Sequence, residues 1–128
     1  MAAEEGAVIA CHTKDEFDAR MAKAKEQGKL VVIDFMAPWC SGCQMMAPVY
    51  ADCASKYPSA VFLEVDVDEL LEVAKIYGVH VMPTFCFIRN GETLESFATV
   101  DEGELRDAVR KYAAAAAGTT TAPASASA

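Results

Sequence analysis

Two cysteines three residues apart, Cys40 and Cys43, lie in the segment Trp39-Cys40-Ser41-Gly42-Cys43. The run before it, Leu30 to Phe35, is apolar and rich in β-branched residues, the pattern of a strand buried on both faces. The stretch after it, Cys40 to about Lys56, reads as a helix carrying Pro48, hence a kinked one. The pair therefore falls where a buried strand hands over to a helix. There the first backbone N–H groups have no partner in the helix, and the helix dipole presents positive potential. A thiolate at Cys40 would accept those hydrogen bonds, so its pKa is expected below the ~8.5 of a free thiol. Cys43, one turn on, would be within reach to attack a mixed disulfide at Cys40 and release a reduced substrate. The predicted chemistry is thiol–disulfide exchange. The alternative, half of a zinc site, needs two further ligands at matching spacing. Cys11, Cys53 and Cys86 are scattered and His12 and His80 are singles, so no metal site is expected.

The elements that must position this pair can be read in order. Val8-Ile9-Ala10 predicts a first strand, and Thr13 with Glu16 forms a capping-box pattern ahead of a helix ended by Gly28. Leu30–Phe35 contains one anomaly, the carboxylate Asp34 in an otherwise apolar strand. Val61–Val67 predicts the next strand and Asp68–Tyr77 a short helix closed by Gly78. Thr84–Ile88 and Thr93–Ala98 flank Asn90-Gly91, a strong two-residue hairpin signal. Asp101 with Glu104 starts a last helix whose apolar face is Leu105, Ala108, Val109 and Tyr112. The order βαβαβα then ββα predicts an α/β fold, a central mixed sheet flanked by helices on both faces. The expected domain spans 8–113, between a flexible N-terminus (1–7) and a disordered Ala-, Thr- and Ser-rich tail (114–128).

At 128 residues and a formal charge of −8, the chain is long enough for one core without disulfide staples. Its acidity argues against nucleic-acid binding, which rests on clustered Lys and Arg. No apolar run approaches membrane-spanning length and no basic amphipathic stretch suits a membrane surface. Five cysteines, unevenly spaced behind an N-terminus without a signal-peptide pattern, point to a reducing compartment, with the cytosol as the expected location. Cys53 and Cys86 read as buried and inert. Cys11 near the first strand is open to a second reading, a reachable thiol able to form a regulatory or intermolecular disulfide. Met45-Met46 read as core filling, and Asp66 with Asp68 as helix-start chemistry.

Taken together, Leu30–Phe35, Trp39–Cys43, Pro48, Val61–Asp68 and Val81-Met82-Pro83-Thr84-Phe85 resemble the thioredoxin family over nearly the whole stretch from Val8 to Tyr112. The opening Val8-Ile9-Ala10-Cys11-His12-Thr13 and the run Val65–Leu70 are most similar to plant h-type members. The resemblance implies the thioredoxin fold and a protein-disulfide reductase that uses a redox-active Cys40-Cys43 disulfide. It makes Cys40 the attacking and Cys43 the resolving thiol. It places Asp34 where the family keeps a buried carboxylate; desolvation would raise its pKa and make it a proton acceptor for Cys43. A merely structural Asp34 paired with a donor is the alternative. Pro83 matches the family's cis-proline, which would turn the Met82 backbone toward an extended substrate, although a trans proline at a strand start fits the same residues. Trp39 would supply an apolar platform for the partner, unless it is simply core, and Val81 and Thr99 would flank the same groove. Implied partners are disulfide-containing target proteins and an NADPH-dependent thioredoxin reductase, or a glutathione/glutaredoxin system. No bound cofactor is implied.

This chain departs from the family at Ser41-Gly42, where Gly-Pro is usual. Gly42 restores a backbone N–H and Ser41 adds a hydroxyl near the thiolate, so both are expected to modify the motif. Gln44 and Glu64 stand where basic residues are frequent, and Thr99 where a glycine is common. A module that keeps the groove but serves as an adaptor or holdase with weak turnover is the alternative function.

Overall fold

The computed structural model describes residues 5–118. A five-stranded mixed sheet runs in the order β1-β3-β2-β4-β5, with β1 Val8–Cys11, β2 Val31–Met36, β3 Val61–Asp66, β4 Thr84–Arg89 and β5 Glu92–Ala98. β1, β3 and β2 are parallel. β4 pairs antiparallel with β2, and β5 with β4. The helices are α1 Lys14–Glu26, α2 Ser41–Lys56, α3 Leu71–Ile76 and α4 Glu102–Gly118. This is the βαβαβα–ββα order expected from the sequence.

Alternation along the strands divides the core into two layers. Ile33, Phe35, Leu63 and Val65 face α1 and α3, meeting Phe17, Ala24, Val73 and Ala74. Val32, Phe62, Phe85 and Phe87 face α2 and α4, meeting Met46, Tyr50, Leu105 and Val109. Because β2 is covered on both sides, every residue from Val31 to Phe35 is buried, Asp34 included.

Local chemistry sets the element ends. Thr13 Oγ1 accepts from Glu16 N–H at 3.0 Å, while Glu16 reaches back to the His12 backbone N–H at 2.8 Å. Asp101 caps α4 by accepting from Glu104 N–H at 3.0 Å. Asn90 and Gly91 both have positive φ, 54° and 80°, as the tight hairpin requires. α2 continues through Pro48.

Two boundaries differ from expectation. The helix expected from Asp68 begins only at Leu71, because Asp66 Oδ1 accepts from Asp68 N–H and Glu69 N–H and holds these residues in a turn. α4 runs past Tyr112 to Gly118, since alanine is the best helix former. Residues 119–128, most of the expected disordered tail, and residues 1–4 of the expected flexible N-terminus lie outside the described residues.

Candidate active site

Cys40 and Cys43 are joined in a disulfide with Cα atoms 5.2 Å apart. The end of β2 and the start of α2 bring them together. Cys40 is the N-cap residue of α2, in extended backbone, and its Sγ accepts the Cys43 N–H at 3.1 Å. A cap side chain accepts from the second or third helical N–H; here that group belongs to Cys43. This is the amide seen to reach the sulfur, rather than that of Gly42 or the Ser41 hydroxyl. Cys40 is half-buried, whereas Cys43 is buried on the inner face of α2 with Met46 and Tyr50. The two sulfurs are thus unequal in access.

Around Cys40, three segments converge. The Met82–Pro83 peptide is cis, and the Met82 carbonyl oxygen lies 3.6 Å from Cys40 Sγ. The trans reading of Pro83 is therefore excluded. Thr84 Oγ1 donates to the Val81 carbonyl at 2.6 Å and ties this loop to the start of β4. Val81 is exposed, Met82 half-buried and Pro83 buried. Trp39 is 67% exposed and so is not core; its Nε1 donates to Asp68 Oδ2 at 2.8 Å. Gln44 Nε2 donates to the Pro38 carbonyl at 2.9 Å, bracing the turn that carries Trp39.

The third segment precedes α4. The Thr99 hydroxyl is turned to its own backbone, accepting from Asp101 N–H at 2.9 Å. The neighbouring residue closes on the motif instead: Val100 Cγ1 lies 2.9 Å from the position of a Cβ at Gly42. Val100 and Asp68 are the residues that sequence reasoning missed. Asp68 was legible as a helix-start carboxylate but not as a partner of Trp39, 29 residues away. Val100 carried no signal in the sequence.

Asp34 is 3% exposed, on the sheet face covered by α2 and α4. Burial, and secondarily the charge of Glu64, push its carboxyl up to about 8. Its Oδ1 has no hydrogen-bond partner. The Tyr50 hydroxyl on the same face is directed to the carbonyls of Val32 and Leu63, at 3.0 and 2.7 Å, and not to Asp34. The structure shows no direct hydrogen bond between Asp34 and Cys43.

The remaining thiols are closed off. Cys11, Cys53 and Cys86 are buried. The reachable Cys11 admitted by the sequence is corrected: it is 1% exposed, and burial pushes its thiol up to about 11, because the first strand pairs with β3 under α1. Met46 fills core, but Met45 is exposed. Among the described residues no group of three or more His, Cys, Asp or Glu could hold a metal ion, and no helix is long and apolar enough to cross a membrane.

Comparison with known proteins gives the same picture. The Thioredoxin family profile matches residues 8–111. The chain is 54% identical over 122 residues to a thioredoxin H-type of Oryza sativa subsp. indica, covering 95% of this chain and 100% of the relative. It is 50% identical over 113 residues to thioredoxin H4 of Arabidopsis thaliana, covering 88% and 95%. Among solved structures, a thioredoxin from Nicotiana alata superposes with TM-score 0.78 at 38% identity over 81% of this chain and 90% of that one. A poplar wild-type thioredoxin h does so with TM-score 0.79 at 32% identity over 82% and 95%.

Proposed function

The chain belongs to the thioredoxin family and is a thiol–disulfide oxidoreductase that reduces protein disulfides, and from that premise we propose a division of labour among its residues. The Cys40 thiolate attacks a target disulfide. A bond forms from Cys40 Sγ to one substrate sulfur, and the other substrate sulfur leaves as a thiolate. Asp34 then takes the Cys43 proton, and the Cys43 thiolate attacks Cys40 Sγ. This closes the Cys40–Cys43 disulfide and expels the second substrate sulfur, so the target gains the two electrons that the dithiol loses.

The single observation that carries the assignment is the hydrogen bond from Cys43 N–H to Cys40 Sγ. It favours the anion on the more accessible sulfur. The buried Cys43 suits attack on a bond that already sits above it. Trp39, Val81 and Met82 form the surface for the target segment, with the buried cis-Pro83 holding Met82 in place, and the Met82 carbonyl beside Cys40 supports backbone pairing with an extended chain. Thr99 contributes by shaping the loop that carries Val100, with Ser41 and Gly42 forming the first turn beneath it. The resemblance to h-type proteins supports a cytosolic location and electron supply by an NADPH-dependent thioredoxin reductase, or by a glutathione/glutaredoxin system.

Reduction of insulin disulfides driven by NADPH and thioredoxin reductase tests the proposal. Wild type turns over, Cys40→Ser does not, and Cys43→Ser accumulates a mixed disulfide at Cys40. Target binding without turnover by the wild type, as in an adaptor, would overturn it.

A further inference from the structure

The end of the sheet remote from the cysteines gathers positive charge. There β2 and β3 begin and the antiparallel β4 ends, so Lys29, just before β2, and Arg89, the last residue of β4, come to the same pole. Lys29 lines three cavities, of about 170, 230 and 220 Å³, together with Lys23 on the first, Lys25 on the second and Arg89 on the third. In a chain of formal charge −8 this pole runs against the whole. Part of it serves a helix: Lys23 and Lys25 lie in the last turn of α1, where cations complement the helix dipole. Arg89 lies on a strand, so that explanation does not reach it.

The third cavity has the makings of an anion site. Lys29, Ser59 and Arg89 supply donors beside the buried side chains of Leu30, Ala60 and Ala113. Arg89 is half-buried, and its Nε is buried without a hydrogen-bond partner. An arginine that only laid its stem on apolar surface would keep its head in water; here part of the head is withdrawn from it. Among the described residues neither Arg89 nor Lys29 has an ion pair. Glu92, the register partner of Arg89 across the hairpin, is exposed and does not pair with it. The nearby backbone amides are engaged within the chain, since Gly28 N–H donates to Lys25, Lys29 N–H to Ala24 and Ala60 N–H to Tyr57. Recognition at this cavity therefore falls to side chains.

The donor set selects the ligand class. A guanidinium presents a fork that matches an oxyanion, and an ammonium adds a point charge. Two cations suit a phosphate monoester, which carries about −1.5 to −2 at neutral pH; a carboxylate would leave one of them uncompensated. None of the lining residues is aromatic, so nothing offers a stacking face for a nucleobase. We propose that this cavity binds the phosphate group of a small phosphorylated molecule, with Arg89 as the fork and Lys29 as the second cation. The site lies at the opposite end of β2 from Cys40 and leaves the cysteines open to their targets.

NMR titration of the oxidised protein tests this, following the Arg89 Nε–H and the amides of Gly28, Lys29 and Ser59 at pH 7.5. Inorganic phosphate, glycerol 3-phosphate and acetate are added in turn at ionic strength held constant with chloride. Both phosphates are expected to give saturable shifts at these groups in the millimolar range, and acetate is not. Tighter binding of glycerol 3-phosphate assigns the site to an ester, and equal affinities assign it to free phosphate. Arg89→Gln should weaken binding about ten-fold or more, as loss of a charge-assisted hydrogen bond does, and Arg89→Lys, which keeps charge without the fork, should fall between. Lys29→Gln should weaken it roughly three-fold. Insulin reduction unchanged in these variants shows that they are folded. Shifts that fail to saturate, that acetate reproduces, or that persist unaltered in Arg89→Gln and Lys29→Gln overturn the proposal.

Discussion

Val100 Cγ1 stands 2.9 Å from where a side chain at Gly42 would begin, and Pro83 Cδ stands 3.7 Å from the same point. The loop before α4 thus occupies space that any larger residue in the motif would claim. Valine is stiff at χ1, so it yields less readily than a long flexible side chain would. This close approach ties Gly42, one of the two residues between the cysteines, to a loop more than fifty residues away.

Gly42→Ala is therefore expected to be destabilising in the wild type, by roughly 1 kcal/mol for a tight apolar overlap. In a Val100→Ala background the same change should become neutral or stabilising, because alanine outranks glycine in a helix by about 1 kcal/mol. A double-mutant cycle by urea unfolding measures the coupling. Additive effects would show that Val100 moves aside at no cost.

Cys40 should be the thiol that brief iodoacetamide treatment of the reduced protein labels at pH 7.5. Cys11, Cys53 and Cys86 are all buried, and burial pushes each thiol up. Intact-mass analysis should find one adduct, mapped to Cys40. Early labelling of Cys43 or Cys11 would contradict the access inferred from the fold.

The pH dependence of stability should carry the mark of Asp34. Its carboxyl is raised from 3.8 to about 8 in the folded chain. The folded state therefore holds a proton that the unfolded state releases between those values. That contribution is complete below about pH 4 and is lost as the pH rises through 8. Asp34→Asn removes the ionisation, so it should stabilise the protein at pH 9 by an amount on the order of a few kcal/mol, and much less at pH 5. Thermal unfolding at the two pH values checks the sign. Equal differences at both would mean that Asp34 ionises freely in the folded state.

Trp39 is the only tryptophan in the chain, so its fluorescence reports on the site. Asp68→Ala removes the acceptor of its indole N–H, an interaction typically worth ~0.5–1.5 kcal/mol. The expected result is a broadened and shifted emission together with a KM for protein targets raised a few-fold, with kcat less affected. Asp68→Asn retains an acceptor oxygen and should lie close to wild type. A kcat loss without change in KM would mean that Trp39 does not help hold the target.

The local order of the chain was legible because it depends on near neighbours. Thr13 with Glu16, Asp101 with Glu104 and Asn90-Gly91 each act over two to four residues, and their signals held. So did the placement of Cys40 and Cys43 at a strand-to-helix handover, since a buried apolar strand followed by a helix start is written in residue type and spacing. What the chain order could not contain are the meetings across the sheet and between loops. Asp68 under Trp39, Val100 over Gly42, and Glu64 beside Asp34 join residues 29, 58 and 30 positions apart. Only the strand order β1-β3-β2-β4-β5 brings them together. The burial of Cys11 was hidden for the same reason: a short first strand is exposed or covered according to the strand and helix packed on it, here β3 and α1. Residue type determined which groups could do chemistry; tertiary contact decided their access, their charge neighbours and the space left between them.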